Sequence, residues 1–289
     1  MEELGQRITR VTLSHDFQGQ FGGFGAGDGQ FIWPRSIAMD SEENLYVSDE
    51  QLHRISVFDK AGTFAGNWGS PGTAEGQLNG PSGLAFGPDD NLYVVDSLNH
   101  RVQQFTKEGG FLGAFGNQGN AEGQLDMPWG ICVGRQGDVY VADWQNDRVQ
   151  KFSPSGQFLR QFGSSDAKVG NLSRPSGVAV DSDGDVYVTD WANHRVQVYG
   201  PEGTFIATLV GDAQEPSPWT QTYIDANPDI VKARRRANME PEWRFRRPVA
   251  VKVDENDRLF VLETARHRIQ VYNKEKEEPN TPNLSLIHI

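Results

Sequence analysis

Apolar positions along the chain come in short alternating or clustered runs, each cut off by turn chemistry. In one stretch GVAVD (177–181) leads into SDGD, then VYVTD, WANH, RVQVY, GPEG and TFIATLV. Period-two alternation in Val, Tyr, Ile and Phe predicts four short strands. Connections of two to five residues rich in Gly, Asp and Asn have hairpin length, so the unit reads as an antiparallel meander. The same pattern opens at Pro34, Pro81, Pro128, Pro175 and Pro248, spaced 47, 47, 47 and 73 residues apart. A period held three times running is a repeat architecture, and the fourth unit holds 26 extra residues. One such sheet cannot bury both faces alone. Stacking successive sheets radially around an axis gives an all-β propeller of four-stranded blades.

Several motifs recur with the period. They are the Asn-His-Arg of DSLNHRVQQF and DWANHRVQVY, the preceding LYVVD and VYVTD, the following GGFLGAFG and GQFLRQFG, and GQL before the next proline. In these the sequence resembles NHL-repeat β-propellers over about residues 7 to 275. That resemblance implies six blades around an open channel, used mostly to bind proteins or RNA, with a minority of enzymes. Five openings are visible. Residues 7–25 match only the third and fourth strands of a unit, and the fifth unit stops after its third strand, so a sixth blade is expected in the full protein. The reading is one propeller domain over 1–283 with a helix-containing insertion at 212–247. The closing LSLIHI, 284–289, reads as a non-native tail, an in-frame translation of a sequencing-library adapter. A genuine tail, for which Pro279 and Pro282 speak, is the alternative.

The composition fits a turn-rich fold, with 32 Gly, 10% aromatic residues and no apolar run long enough to span a membrane. A single cysteine, Cys132 in GICVG, excludes an internal disulfide framework and reads as a small buried hydrophobe. The N-terminal MEELGQRITR has no secretory pattern, so cytoplasm is the default expectation. A formal charge of −12 repels polyanions and counts against nucleic-acid or anionic-membrane binding.

Charged residues repeat too. Asp49, Asp96, Asp143, Asp190 and Glu263 each stand five residues before Arg54, Arg101, Arg148, Arg195 and Arg268. Acid and base therefore face each other across the second hairpin turn, and occurrence in every blade marks them as structural. His53, His100, His194 and His267 sit at one station of different blades, on a circle too wide to share a metal ion. Some six-bladed lyases, similar to peptidylglycine-amidating lyases, bind zinc through histidines directly after the opening prolines. Here those positions hold Arg35, Ser82, Trp129, Ser176 and Val249, and no metal or cofactor is expected. DSDGD (181–185) resembles part of a calcium loop, but its counterparts are all first-hairpin turns and no bidentate glutamate follows.

What remains is a face. In an antiparallel meander the turn after strand two and the connection after strand four leave from the same blade edge. That edge carries Trp144 and Trp191 in second turns, Arg35 and Trp129 at blade openings, and the insertion. The tryptophans are either blade packing or a binding platform. In the insertion, Asn227 as N-cap, Pro228 and Asp229 predict one short helix ending in basic residues. From Ile230 to Arg247 there are seven basic and two acidic residues. Arg234, Arg235, Arg236 and Arg244, with Trp243 among them, either pair with the acidic body or contact a partner. The expected function is a non-enzymatic scaffold for a protein or peptide, with a small anionic ligand as another candidate. A propeller hydrolase or lyase is the first alternative and RNA binding the second.

Overall fold

The computed structural model describes residues 6–13, 16–164, 166, 169–214, 216 and 218–274. The segment 284–289 lies outside the described residues. The chain opens with β1 (Arg7–Val11) and β2 (Phe17–Gly22), which pair only with each other. Blade one is β3 (Pro34–Met39), β4 (Leu45–Asp49), β5 (Arg54–Phe58) and β6 (Phe64–Trp68). Blade two is β7 (Pro81–Phe86), β8 (Leu92–Asp96), β9 (Arg101–Phe105) and β10 (Phe111–Phe115). Blade three is β11 (Pro128–Val133), β12 (Val139–Asp143), β13 (Arg148–Phe152) and β14 (Phe158–Phe162). Blade four is β15 (Pro175–Val180), β16 (Val186–Asp190), β17 (Arg195–Tyr199) and β18 (Phe205–Leu209). Blade five is β19 (Pro248–Val253), β20 (Arg258–Glu263) and β21 (Arg268–Asn273). Each blade is an antiparallel meander in sequence order, and each begins on its proline.

The core lies between blades. Tyr93, Val95 and Val102 of blade two meet Val139, Val141 and Phe152 of blade three, and each other junction repeats this pattern. The innermost strands pack in succession, β3 on β7, β7 on β11, β11 on β15 and β15 on β19. The β1–β2 pair joins the same scheme as outer strands, with Phe21 against Phe58 at 4.7 Å between ring centroids. Three residues before each opening proline a large apolar side chain plugs the junction. Phe31, Leu78, Leu125, Leu172 and Phe245 are at most 3% exposed. Phe245 is the point at which the insertion re-enters the repeat.

The insertion is more helical than its sequence predicts. The expected helix is present as α2 (Pro228–Arg236), flanked by α1 (Pro218–Asp225) and α3 (Glu240–Trp243). Asn227 stands at the N-cap, yet its side-chain amide donates to the Tyr223 carbonyl instead of capping α2. A free carbonyl at the end of α1 competes for that side chain, and proximity to a preceding helix is invisible in the local cap pattern. Among the described residues no helix is long and apolar enough to cross a membrane.

Candidate binding arc at the channel mouth

Every blade locks onto the one before it with the repeated turn. The five second-turn carboxylates are fully buried. Asp143 accepts from the Asp126 backbone N–H at 2.7 Å, from Asn146 at 2.9 Å, from Arg148 Nε at 2.8 Å and from Gln150 at 3.1 Å. Asp96, Asp190 and Glu263 repeat this with Arg101, Arg195 and Arg268. The outer guanidinium nitrogen of each arginine donates to carbonyls of the preceding connection, as Arg148 does to Ala121 and Gln124. Blade one differs. There Asp49 accepts from the Ile32 and Trp33 amides, while Arg54 donates to the carbonyls of Ala26, Gly27 and Gln30. Burial raises the Asp143 carboxyl above its usual value, against the opposing pull of the Asp126 amide, Arg148 and Asn146.

The histidines have a comparable task. His53, His100 and His194 hold left-handed φ angles of 51°, 54° and 57°, where short polar side chains are over-represented. Their Nδ1 atoms accept from the backbone N–H of Gly80, Met127 and Arg247, the residues just before the next opening proline. Asp147 does the same for Arg174 at 2.7 Å. These pre-proline residues are themselves left-handed, with φ of 62°, 47°, 55° and 55° at Gly80, Met127, Arg174 and Arg247. Such a conformation is costly before proline, and the histidine or aspartate bond helps hold it.

That backbone geometry positions an arc of rings and cations. The one-turn helices Trp144–Asn146 and Trp191–Asn193 present their tryptophans toward the channel mouth beside Trp129 of β11. Trp129 and Trp144 lie 4.9 Å apart, and Trp144 and Trp191 lie 5.3 Å apart. Arg35 stacks between Trp33 (5.7 Å) and Trp129 (5.0 Å), Arg174 lies 6.0 Å over Trp144, and Arg247 lies 5.1 Å over Trp191. Arg35 is held by Glu50. The Arg174 guanidinium donates to the Gln145 amide oxygen, and among the described residues neither the Arg174 nor the Arg247 guanidinium pairs with a carboxylate. The structure thus brings Arg35, Trp129, Trp144 and Trp191 together. Sequence reasoning missed Trp33, Arg174 and Arg247, although all three share the pre-proline station.

The insertion leaves from the same edge, but two of its other arginines turn inward on the insertion itself. Arg234 pairs with Glu242 at 2.9 Å and Arg244 with Glu240 at 2.7 Å. Arg235 and Arg236 are exposed on α2. The Trp243 carbonyl receives Arg268 and Gln270, and the carbonyls of Pro241 and Glu242 receive Arg266, which anchors α3 on blade five. No ring contact or ion pair among the described residues joins Arg234, Arg235, Arg236, Arg244 or Trp243 to the tryptophans.

Other polar candidates are already engaged. Ser82 donates to the Trp129 carbonyl and Ser176 to the Pro248 carbonyl, both buried between blades. In DSDGD the Asp181 carboxylate accepts from its own turn and from Tyr187, and the Lys274 ammonium of the next blade lies within 2.9 Å of Asp181, Asp183 and Asp185. At the opposite end of the channel a cavity of about 310 Å³ is lined by residues such as Ile37, Met39, Phe86 and Val180, with Lys252 as its one charged group. Cys132 lines it as well, and burial pushes that thiol up to about 12.

Comparison with known proteins agrees with this geometry. Residues 172–199 and 245–272 match the NHL repeat, and residues 69–165 match the SMP-30/Gluconolactonase/LRE-like region. A search of curated proteins gave no match. Among solved structures, a catalytically inactive virginiamycin B lyase from Staphylococcus aureus with quinupristin is similar at 13% identity and TM-score 0.61, covering 99% of this chain and 78% of that one. A chain of a nidogen/laminin complex is similar at 16% identity and TM-score 0.62, covering 93% and 86%. A gluconolactonase from Xanthomonas campestris is similar at 14% identity and TM-score 0.56, covering 85% and 74%. At these identities the likeness is one of fold. With its proline-opened antiparallel meanders, the chain is an all-β propeller that carries NHL repeats at 172–199 and 245–272.

Proposed function

We propose that this propeller is a non-enzymatic binding scaffold that receives a protein or peptide partner on the arc at its channel mouth. The observation that carries this reading is the unbroken run from Trp33 through Arg35, Trp129, Trp144 and Trp191 to Arg247. Aromatic faces give a large contact area at low entropic cost, and cations stacked on them select an acidic or carboxylate-bearing segment. The guanidinium groups of Arg174 and Arg247, which pair with no carboxylate among the described residues, supply the attraction on an otherwise acidic body. Selection from a displayed random peptide library tests the reading. The expected binders combine acidic with aromatic or aliphatic residues and weaken as salt rises. Binders without acidic character, or none at all, overturn it.

A second reading, an enzyme acting at the channel mouth, is favoured by the match of residues 69–165 and by the enzymes among the similar folds. It would place chemistry where this chain has Trp and Arg side chains and where the two opening serines hydrogen-bond between blades. Turnover of simple lactones, lost on Trp144→Ala, would replace the scaffold reading.

A further inference from the structure

The channel end opposite the arc has an apolar lining that one residue interrupts. The last residue of each innermost strand, Met39, Phe86, Val133, Val180 and Val253, faces the cavity of about 310 Å³ there. That volume is at the small end of the range typical of ligand sites, about 300–1,000 Å³, which are mostly apolar with a few placed polar groups. One position earlier the strands carry Ala38, Ala85, Cys132 and Ala179 in blades one to four, and Lys252 in blade five. The lysine breaks a period of small apolar residues and gives the cavity its one charged group. Burial pushes the Cys132 thiol up to about 12, and the Lys252 ammonium, two blades away around the channel, opposes that rise. The lysine's charge therefore reaches over the cavity. The first-hairpin carboxylates at this end have cations of their own, Asp90 with Lys107, Asp138 with Lys151, Asp181 with Lys274 and Asp254 with Arg258. Among the described residues none of these carboxylates pairs with Lys252.

We infer that this cavity is a binding site for a small amphipathic monoanion, a carboxylate with a short apolar tail. The carboxylate pairs with the Lys252 ammonium, and the tail lies on the apolar ring from Met39 to Val253. A charge-assisted bond to an ammonium gains strength where apolar walls keep water away, and the tail gains by leaving water for the same walls. One charge is also the limit. A second anionic group finds no cation in the lining, and the acidic turns around this end of the channel repel it. Dicarboxylates and phosphorylated molecules are therefore poor ligands here, and a neutral molecule of the same shape loses the ammonium contact.

Calorimetric titration of the full chain with octanoate tests the site. Octanoate should bind one to one, and octanol and the dicarboxylate suberate should each bind at least about tenfold more weakly. Lys252→Met, at an exposed position, should keep the melting temperature and reduce octanoate to the affinity of octanol. Val180→Phe gives blade four the residue that blade two already has in Phe86, so it should fold normally while its ring fills the cavity and abolishes binding of both. Absence of saturable octanoate binding overturns the proposal, as does octanoate binding unchanged in either folded variant. Suberate bound as tightly as octanoate also overturns it, since that would mean pairing with an exposed cation outside an apolar site.

Discussion

Two sets of residues share one edge of this propeller and follow opposite rules. The second-turn lock is nearly the same in blades two to five, with a fully buried carboxylate that ties an arginine and the preceding connection to its own turn. The pre- and post-proline stations a few residues away differ from blade to blade, with Trp33 and Arg35, Gly80 and Ser82, Met127 and Trp129, Arg174 and Ser176, Arg247 and Val249. Repetition at the first set follows from a task every junction shares, which is satisfying backbone polar groups where blades meet. Divergence at the second set concentrates cations and rings on one arc. In a repeat protein the residues that break the period are therefore the candidates for recognition, and those that keep it are the frame.

The comparison breaks most visibly at the lock. Asp143→Ala strands Arg148, which is only 6% exposed, and leaves the Asp126 amide without its acceptor. Removing one partner of a buried pair costs about 3–5 kcal/mol. Equilibrium unfolding in urea should show a loss of that size with near-unchanged slope, and a loss below about 1 kcal/mol, the worth of one ordinary hydrogen bond, would mean the lock is not a frame.

A smaller effect is expected one bond further out. His194→Ala removes the acceptor for the Arg247 amide and should cost ~1 kcal/mol, while His194→Asp should restore most of it, because Asp147 already serves Arg174 in that way. Equal losses in both variants would show that hydrogen bonding at this station is irrelevant.

The smallest effect lies at the other edge of the blades. The Lys107 ammonium, 2.8 Å from the Asp90 carboxylate, and the Ser41 hydroxyl hold that carboxyl below its ordinary 3.8. Its folded value is depressed, so its stabilising contribution is full above 3.8 and fades as pH falls through the folded value. Comparing wild type with Asp90→Asn, the stability gap should therefore be present near neutrality and close below about pH 4, where an ordinary aspartate is protonated.

Much of this was legible in the sequence because repetition itself carries the information. A 47-residue period, five opening prolines and the Asp-to-Arg spacing give the meander, the blade order and the cross-strand pairs. The tryptophans at equivalent turns point to the edge on which their rings meet. What stays hidden depends on geometry across blades. Arg174 and Arg247 look like ordinary connection residues until a left-handed backbone before proline swings them over rings from a neighbouring turn. The basic run of the insertion reads as a surface patch, yet two of its arginines are engaged by Glu240 and Glu242 a few residues on. Two further helices escape notice because α1 and α3 have little apolar periodicity to announce them.

One paired measurement on Trp144 tests the separation of frame from recognition most directly. Trp144 sits in the middle of the arc, half-buried, with ring neighbours on both sides. Trp144→Ala gives up two aromatic pairs at ~0.5–1.5 kcal/mol each, so it should unfold at only slightly lower denaturant than wild type. Peptides selected on the wild-type protein should bind this variant at least a hundredfold more weakly while it remains folded. Binding retained within a factor of two by the folded variant would contradict the assignment of the arc as the recognition surface.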